Sequence, residues 1–503
     1  MADQGVGSWI ERRARLTPRA TAIVHGDSSL TYAGLSHRVR KIAQSLRGLG
    51  VDRGDRVAWL GHNHPAFLEL LFATAKLGAV LTPINHRLSA EATTSILEDS
   101  APTVVVTEQS VAHIPLPASA RAKVVVGSGN GQLEYEKLVA DSSEELIDEI
   151  VELSDPCMLP YTSGTTGAPK GVTLTHGNVT WNVLNFLTSA DFQSGDITIA
   201  IAPFFRVGGT GVNVLPVIFK GGTVVVPQSS QPDAILQLIE SCRVTVGFGN
   251  PDLLETLARS PLWSSTDLSS IRFFMTGGAP VPETLIRTYL ERGITFLQGY
   301  GLSEAAPLVL LLDPESANRK AGSAGRPPLL VDVRIARPDG SECQKDETGE
   351  LLVRGPNVMA GYWKRPDATR RALKDGWLHT GDAAYADDEG YVWIVDRVED
   401  GYFSASHVVY PGNIERTLSQ HPAVAEAGAV GLQVGEGAVG IAFIVLAEGE
   451  SVTEEEMLAF CRSHLQEREV PARIKFIDVL PRNPVGKLLR GELRALANDQ
   501  MLR

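Results

Sequence analysis

Residues 161–171 read Tyr161-Thr-Ser-Gly-Thr-Thr-Gly-Ala-Pro-Lys170-Gly171, and this stretch is the most distinctive of the chain. Seven of its eleven residues are glycine, serine or threonine, and a lysine stands near its end. Small residues let the backbone turn so that N–H groups and hydroxyls converge on an anion, and the lysine adds a point charge. The glycine–lysine spacing differs from that of the Walker motif. Composition alone leaves two alternatives, a surface loop or a phosphate-binding loop.

Apolar, β-branched runs on both sides of this stretch indicate strands of parallel sheets. Short continuous runs of this kind are typical of strands that are buried on both faces. Segments with helical spacing, such as Leu35–Leu49 and Phe67–Leu77, lie between them. The pattern predicts an α/β fold. The predicted strands are Val57–Leu60, Val80–Thr82, Thr103–Thr107, Lys123–Val126, Thr223–Pro227 and Ile271–Met275.

The sequence changes in character near Val331. Alternating strands separated by Pro-Asp-Gly and Asp-Asp-Glu-Gly turns predict a β-rich subdomain over residues 331–397, and a polar break follows at Val398–Gly401. We therefore expect a large N-terminal domain of α/β sheets over residues 1–397, which includes this subdomain. A small, mobile α+β C-terminal domain is expected over residues 398–503. The length of 503 residues fits more than one domain, because single cores stop growing at roughly 250–300 residues.

Composition narrows the class of protein. Hydrophobic residues make up 43% and charged residues 21%, as in ordinary globular chains, which excludes collagenous, coiled-coil and wholly disordered proteins. A net charge of −13 opposes a role in wrapping nucleic acid. The four cysteines lack zinc-ligand spacing, and the first residues lack a signal-peptide core. No segment reaches the roughly 18 apolar residues of a membrane span, so a cytoplasmic protein without membrane or nucleic-acid partners is expected.

Five segments, in chain order, resemble the adenylate-forming (AMP-forming) superfamily. This superfamily comprises acyl-CoA synthetases, adenylation domains of peptide synthetases and beetle luciferases, and the pattern is most similar to acyl-CoA synthetases. Residues 161–171 resemble its phosphate-binding loop, and the likeness extends over nearly the whole chain. The other segments are the adenine-side loop Gly277-Gly278-Ala279-Pro280, the segment Tyr300-Gly301-Leu302-Ser303-Glu304, the segment Gly376–Asp382 with the following Asp396-Arg397, and the segment Pro481–Lys487, which matches the motif of the C-terminal catalytic lysine.

The resemblance implies an ATP-dependent enzyme that couples a small acid to AMP, releases pyrophosphate and passes the adenylate to an acceptor. ATP and Mg²⁺ are the implied cofactors, and the enzyme is expected to be a monomer or homodimer. Lys487 is implied to neutralise charge that develops between the attacking oxyanion and the α-phosphate. In the second step, residues 398–503 are implied to rotate about the hinge residue Glu399 and to withdraw Lys487. Catalysis then depends mainly on positioning and charge neutralisation.

The implied site residues have side chains that suit these roles. Glu304 offers a hard oxygen ligand for Mg²⁺, and Tyr300 offers a flat face for adenine. Asp382 can accept hydrogen bonds from the ribose hydroxyls, and Arg397 can add a charge-assisted bond. The implied catalytic residues are Lys487, Glu304, Lys170 and Ser303. The implied ATP-binding residues are Thr162, Ser163, Gly164, Thr165, Thr166, Gly167, Gly278, Ala279, Pro280, Tyr300, Gly301, Asp382 and Arg397. The implied substrate pocket contains Phe205, Arg206, Gly208, Asn250, Gly277 and Leu302.

Three positions depart from the acyl-CoA synthetase pattern. The glycine pair that lines the CoA tunnel in that family stands here as Ala405-Ser406, and the added Cβ atoms narrow a close approach. The loop near the CoA nucleotide is shortened to Leu432–Glu436. Arg206 occupies a position where many of these enzymes carry histidine, and a guanidinium suits an acid with an additional negative group or a very small oxyanion. The alternative is that Arg206 pairs with a protein carboxylate.

These departures leave the acceptor of the second step open. Family frequency favours CoA, which gives an acyl-CoA ligase. The departures together predict that CoA is not the best acceptor and favour a nitrogen acceptor, as in an amide ligase or in a diazotase that activates nitrite for an aryl amine. His407 is a candidate to take the amine proton, or else a simple surface histidine. A catalytically silent homologue is a further alternative, opposed by the presence of Lys170, Glu304, Asp382, Arg397 and Lys487.

Overall fold

A computed structural model describes residues 3–127, 133–162, 169–279, 281–404, 407–434, 437–482 and 488–501. The chain divides into two compact units. The first unit comprises Met1–Val333 and Val353–Leu378, and the second unit comprises Arg334–Leu352 and His379–Arg503. The domain boundary predicted at residue 397 stays a prediction.

Side-chain caps mark the start of five helices among the described residues, α2, α3, α4, α6 and α14. For example, α3 begins after His64, whose ring accepts a hydrogen bond from the N–H of Ala66, and it ends at Gly78, which is left-handed with φ 65°. No helix in these ranges combines the length and the apolarity needed to cross a membrane. The helices are α1 Ser8–Leu16, α2 Tyr32–Gly48, α3 Pro65–Leu77, α4 Ala90–Ser100, α5 Tyr135–Asp141, α6 His176–Ser189, α7 Val207–Gly211, α8 Val214–Lys220, α9 Pro232–Ser241, α10 Pro251–Ala258, α11 Glu283–Glu291, α12 Pro366–Ala372, α13 Pro411–Leu418, α14 Glu454–His464 and α15 Arg490–Met501.

The strands confirm the predicted positions to within about two residues at each end. The predicted strand Thr223–Pro227, for example, ends at Val225, since Pro227 cannot donate to the ladder. The strands are β1 Thr21–His25, β2 Ser28–Thr31, β3 Arg56–Leu60, β4 Val80–Ile84, β5 Val104–Glu108, β6 Ala122–Val126, β7 Leu133–Glu134, β8 Pro156–Met158, β9 Tyr161–Thr162, β10 Lys170–Thr175, β11 Ile197–Ile199, β12 Thr223–Val225, β13 Val246–Gly249, β14 Phe273–Thr276, β15 Thr295–Gly301, β16 Leu308–Leu311, β17 Asp332–Ala336, β18 Gly349–Arg354, β19 Gly361–Tyr362, β20 Leu373–Lys374, β21 Trp377–Ala386, β22 Val392–Arg397, β23 Tyr402–Ser404, β24 His407–Val409, β25 Val424–Val434, β26 Gly437–Leu446 and β27 Arg473–Phe476.

Two large sheets organise the first unit. One has the order β16-β15-β14-β13-β11-β12-β1-β2, and the other has the order β19-β10-β8-β4-β3-β5-β6-β7, with β9 paired to β10. Most of their inner strands are parallel, as between β3 and β4 and between β13 and β14, whereas β10 pairs antiparallel with β8. Every residue of β4 and of the helix α3 before it is buried. Parallel strands buried on both faces confirm the predicted α/β fold.

The second unit contains its own apolar cores. Its C-terminal part is built on the sheet β25-β26-β27, with one core cluster that includes Ile414 and Met457 and another that includes Leu480 and Leu493. The segment Leu432–Glu436, predicted as a shortened loop, is for the most part strand, because β25 continues to Val434 and pairs there with Gly437. An uninterrupted ladder explains this difference, since no proline or bulge interrupts the pairing of Leu432–Val434.

Candidate active site

The carboxyl ends of three neighbouring parallel strands bring together several of the predicted residues. Asn250 follows β13, Gly277 follows β14, and Tyr300 lies at the end of β15. The register pairs Gly249 with Thr276 and Thr276 with Gln298, so the residues after these positions lie at one edge of the sheet. Ligands of open α/β sheets bind at this kind of edge.

Two glycines at this edge allow a close approach of backbones. A Cβ at Gly277 would lie 2.5 Å from the carbonyl oxygen of Gly299, and a Cβ at Gly301 would lie 1.9 Å from the carbonyl oxygen of Pro307. Any side chain there would push the strand end out of place. Gly278, with φ +83°, has open space around it and continues into the exposed residue Ala279. The glycines therefore set the backbone path around Tyr300.

A short 3-10 turn, Ser303–Ala305, places Glu304 directly after this edge. Oε1 of Glu304 accepts a hydrogen bond of 2.8 Å from the hydroxyl of Tyr362. The face of the Tyr362 ring in turn contacts Lys170, whose Nζ is 5.2 Å from the ring centroid. Tyr362 thus links the predicted metal ligand to the predicted phosphate-binding lysine through a hydrogen bond and a cation–π contact.

Sheet pairing fixes the position of Lys170. Lys170 begins β10 and pairs with Thr162 of β9, and Val172 of the same strand pairs with Tyr362 of β19. The two ends of the glycine-rich stretch are therefore held side by side. The predicted contacts of this stretch with phosphate stay a prediction, since several of its residues lie outside the described ranges. These residues are Ser163, Gly164, Thr165, Thr166 and Gly167.

The turn that carries Glu304 is held from a distant part of the chain. The side-chain amide of Asn357, which is fully buried, donates to the carbonyl oxygens of Ala305 at 2.7 Å and Leu308 at 2.8 Å. The N–H of Met359 donates to the carbonyl oxygen of Glu304 at 2.8 Å. Backbone and side chain of Glu304 are thus both constrained by residues shortly before or within β19.

The predicted acid-side segment lies between β11 and α7. Phe204 and Phe205 are buried, and Arg206 is the N-terminal flanking residue of α7. Asn63 holds this segment, because its side chain accepts from the N–H of Phe204 at 2.8 Å and donates to the carbonyl oxygens of Ala200 and Ala202. Gly208 lies against Phe248 of β13, since a Cβ there would be 3.4 Å from that ring. The segment therefore packs on a strand that leads to the same sheet edge.

Arg206 is the charged group of this segment. Arg206 is exposed as a residue, and its side chain forms no hydrogen bond or ion pair with any residue that the structure describes. Partial desolvation lowers its pKa, Arg87 lowers it further, and Asp252 opposes this shift. Burial, then His62 and Arg87, lower the pKa of nearby His86 to about 4, so this imidazole is neutral at neutral pH. The side chain of Arg206 therefore has no anionic partner among the described residues and is available to bind an anion. The predicted contact between Arg206 and the acid stays a prediction.

Asp382 and Arg397, the predicted ribose-binding pair, are cross-strand neighbours in the second unit. They pair in register on β21 and β22, and Nη1 of Arg397 donates to Oδ1 of Asp382 at 2.7 Å. The same nitrogen donates to the carbonyl oxygen of Thr380 at 3.0 Å. The side chain of Asp382 is 14% exposed, and that of Arg397 is 32% exposed. Such a pair presents a carboxylate and a guanidinium in a fixed arrangement.

Comparison with known proteins identifies the family. A model of the AMP-binding enzyme family matches residues 10–363, and a model of the AMP-binding enzyme C-terminal domain matches residues 413–487. The chain belongs to the AMP-binding enzyme family. The resemblance derived from the sequence motifs is therefore confirmed, and the chain is an ATP-dependent, AMP-forming ligase.

Members of the AMP-binding enzyme family resemble this chain over nearly its whole length. It is 45% identical over 495 residues to a feruloyl-CoA synthase from Amycolatopsis sp, covering 98% of this chain and 99% of that protein. A solved anthranilate CoA ligase in complex with anthranoyl-AMP is 26% identical, with a TM-score of 0.89, and covers 99% of this chain and 98% of its own. An o-succinylbenzoate CoA synthetase from Bacillus subtilis, solved with ATP and magnesium, is 32% identical, with a TM-score of 0.84 and coverage of 97% and 99%.

The structure describes some of the remaining predicted residues of this AMP-binding enzyme and leaves others outside the described ranges. Glu399, the predicted hinge, is exposed and lies in the 3-10 turn Val398–Asp400. Leu302 precedes the Glu304 turn, and its N–H donates to the carbonyl oxygen of Pro307 at 3.1 Å. Lys487, Pro280 and the pair Ala405-Ser406 lie outside the described ranges, as does Glu436. Their predicted roles stay predictions.

Sequence reasoning missed three polar residues that shape the site: Tyr362, Asn357 and Asn63. Each contacts a partner far away in the chain, with separations of 58, 52 and 141 residues to Glu304, Ala305 and Phe204. A single sequence carries no periodic signal for such contacts. Tyr362 stands in Gly361-Tyr362-Trp363, and only the position of that segment beside β10 shows its role.

Proposed function

We propose that this enzyme is an aryl-acid CoA ligase that uses Mg²⁺ and ATP. The observation that carries the proposal is the link from Lys170 through Tyr362 to Glu304, which combines a phosphate-binding cation with a constrained carboxylate. The aromatic substrate and the CoA acceptor are supported by the relatives, since the feruloyl-CoA synthase is 45% identical over 98% of this chain.

Glu304 fits the role of a magnesium ligand. Its Oε1 is engaged by Tyr362, so Oε2 is the oxygen that is offered to a hard cation. Bound Mg²⁺ would neutralise charge on the phosphate oxygens of ATP. Lys170 and the glycine-rich stretch would hold the triphosphate in line with the attacking acid oxygen, and Tyr300 would hold the adenine. These groups act by positioning and by charge, with no covalent intermediate on the protein.

At the acid end, Arg206 would hold the substrate carboxylate or a second anionic group of the substrate. A guanidinium can bind an oxyanion with two parallel hydrogen bonds. In the second unit, Asp382 and Arg397 would bind the ribose. Lys487 would stabilise charge at the α-phosphate during adenylate formation. Rotation of residues 398–503 about Glu399 would then withdraw Lys487 and admit the acceptor.

The three proteins compared above weigh against the prediction that CoA is not the best acceptor. The three proteins compared above are each named for CoA as a substrate. The departure at Ala405-Ser406 lies outside the described residues, so the structure adds no support for a blocked tunnel. The segment Leu432–Val434 is an ordinary strand end. We therefore propose CoA, and we treat amine acceptors as outcomes of the test.

The test is a substrate panel with the purified enzyme, ATP and Mg²⁺. Cinnamic, benzoic and indole-acetic acids, fatty acids, and nitrite with an aryl amine are each assayed for pyrophosphate release. Mass spectrometry then identifies products with and without CoA. We expect release with aryl acids and a thioester product. The variant Glu304→Gln, which keeps shape but removes charge, should lower release and raise the Mg²⁺ requirement.

Other outcomes of this panel contradict the proposal in separable ways. An amide or diazo product that forms in preference to a thioester would assign a nitrogen acceptor. Preference for fatty acids would overturn the aryl substrate class while leaving the CoA acceptor. No pyrophosphate release with any acid would indicate a catalytically silent homologue.

A further inference from the structure

A largely buried arginine at the first position of α15 binds three carboxylates of the second unit. Arg490 is 13% exposed in its side chain. Its guanidinium donates to Oε1 of Glu415 at 2.5 Å and to Oδ1 of Asp396 at 3.2 Å, and its Nε lies 3.3 Å from Oδ2 of Asp400. It also donates to the carbonyl oxygen of Ala429 at 2.6 Å. One side chain therefore connects β22, the following turn, α13 and β25 to α15.

The carboxylate of Asp396 is enclosed by Arg490 and by the first turn of α13. The side chain of Asp396 is only 6% exposed. Besides the bond to Arg490, its Oδ2 accepts a hydrogen bond of 2.6 Å from the N–H of Gly412, in the first turn of α13. A Cβ at Gly412 would lie 2.4 Å from the carbonyl oxygen of Val395, so α13 and β22 approach each other closely at this point. A charged carboxylate buried to this degree needs these partners.

The three carboxylates differ in their position relative to the predicted hinge. Asp396 precedes Glu399, whereas Asp400, Glu415 and Arg490 follow it. Glu399 itself lies in the 3-10 turn Val398–Asp400, in which Val398 and Glu399 are exposed. A rotation about Glu399 would carry Arg490, Asp400 and Glu415 as one group. The bonds of Asp396 to Arg490 and Gly412 cross the axis and cannot survive a large rotation.

We propose that the contact of Asp396 with Arg490 and Gly412 is a latch that holds one of the two orientations of the C-terminal domain. The inference is founded on the proposed function, because it needs two half-reactions that use different orientations. Arg490 is thereby a positioning residue: it follows Lys487 closely in the chain and couples the segment after that lysine to the strand that carries Arg397. The latch determines how the enzyme divides its time between adenylate formation and transfer to the acceptor.

The test compares variants of three carboxylates that all bind the guanidinium of Arg490. One of them, Asp396, precedes Glu399 in the sequence, and the other two follow it. Asp396→Asn weakens a contact that crosses the hinge, and Asp400→Asn and Glu415→Gln are matched controls that do not cross it. Gly412→Ala is an independent second way to open the latch, since its Cβ collides with Val395. The two half-reactions are measured separately, as pyrophosphate release and as transfer from preformed adenylate to CoA.

We expect Asp396→Asn and Gly412→Ala to shift the ratio of the two half-reaction rates in the same direction, by roughly tenfold, the scale of one charged hydrogen bond. The controls should lower the melting temperature but leave the ratio within about threefold. As a readout besides activity, limited proteolysis at residues 398–401 should be faster in Asp396→Asn than in Glu415→Gln at matched stability, because loss of the contact lets this exposed turn open locally.

The result that would overturn the latch is a parallel loss of both half-reactions in all four variants, or no difference between Asp396→Asn and its controls. Failure of the proposed function looks different. In that case the wild-type enzyme itself releases no pyrophosphate with any aryl acid or forms no thioester, whatever the variants do in proteolysis.

Discussion

The hydroxyl of Tyr362 donates a 2.8 Å hydrogen bond to Oε1 of Glu304, across 58 residues of sequence. This bond restricts the rotation of a carboxylate that sits on a short turn. It also leaves the ring face to Lys170. A pre-oriented carboxylate loses less conformational entropy when it binds a metal ion than a free one does. This hydrogen bond explains how the orientation of the Glu304 carboxylate can be fixed before a nucleoside triphosphate binds.

Replacement of Tyr362 by Phe should therefore raise the Mg²⁺ concentration needed for half-maximal pyrophosphate release, by roughly threefold to tenfold, the scale of one hydrogen bond to a charged group. The ring is retained, so the contact with Lys170 persists. A magnesium titration measures the effect. The matched control is Tyr289→Phe, which removes a buried hydroxyl that donates to the carbonyl oxygen of Leu254. It should cost stability only, and an equal shift in both variants would contradict the assigned role.

Asp382→Asn should raise the KM for ATP by roughly tenfold, because the amide loses charge-assisted bonds to the ribose and to Arg397. The rate at saturating ATP should change less, since ribose contacts are made in both ground and transition states. Initial rates measured over a series of ATP concentrations give the KM for ATP and the rate at saturating ATP separately. Asp332→Asn, in an exposed pair with Arg354, is the control and should be silent. A kcat loss without a KM change would place Asp382 elsewhere.

Arg206→Ala should weaken binding of the acid by roughly tenfold and leave the KM for ATP nearly unchanged, since a guanidinium bound to an oxyanion is the contact removed. Arg206→His tests whether a smaller cation suffices. The measurement is KM for the preferred acid and for ATP in each variant. Arg259→Ala, which removes an exposed i,i+4 pair with Glu255, serves as the control. Equal losses for acid and ATP would argue against an acid-side role.

Lys487→Ala should slow adenylate formation by roughly a hundredfold to a thousandfold, the scale of removing one transition-state charge partner. ATP affinity should hardly change, since the lysine acts in the transition state. Pre-steady-state pyrophosphate release gives the rate of adenylate formation, and equilibrium binding gives the affinity for ATP. Lys374→Ala, an exposed lysine on β20, is the control. Parallel losses in binding and rate would remove Lys487 from its assigned role.

His176 predicts a pH dependence of stability. It is fully buried, its Nδ1 accepts from the N–H of Val6 at 3.1 Å, and burial lowers its pKa from 6.5 to about 4. A lowered folded-state pKa means that the unfolded chain takes up the proton first. Stability is then complete above pH 6.5 and falls as pH drops toward 4, by roughly 3 kcal/mol over that range.

The measurement for His176 is the free energy of unfolding against pH in urea. His176→Asn keeps an acceptor for Val6 and removes the titrating ring, so its curve should be flatter between pH 6.5 and 4. Its stability at pH 7.5 is expected to be lower because the smaller side chain leaves a cavity. A slope identical to that of the wild type would show that His176 does not take up a proton on unfolding in this range.

The sequence predicts the strands and motif positions well because those signals are local. Apolar runs of a few residues are enough to identify β3 or β4, and the glycine-rich stretch is a contiguous string. The polar residues that fix the site are different in kind. Tyr362, Asn357 and Asn63 act through single hydrogen bonds to distant segments, and nothing in their own neighbourhoods separates them from surface residues. The reach of β25 to Val434 was missed for a related reason, since a strand end is decided by its partner's register.

Lys170 belongs to the sheet that contains β10 and β19, whereas Glu304 follows the strand β15 of the other large sheet. Neither sheet by itself carries both charges. A chain in which only one sheet has formed therefore has no complete site for nucleotide, however native its helices and strands are. We therefore expect ATP binding to require both sheets packed together, and we expect neither sheet alone to bind the nucleotide.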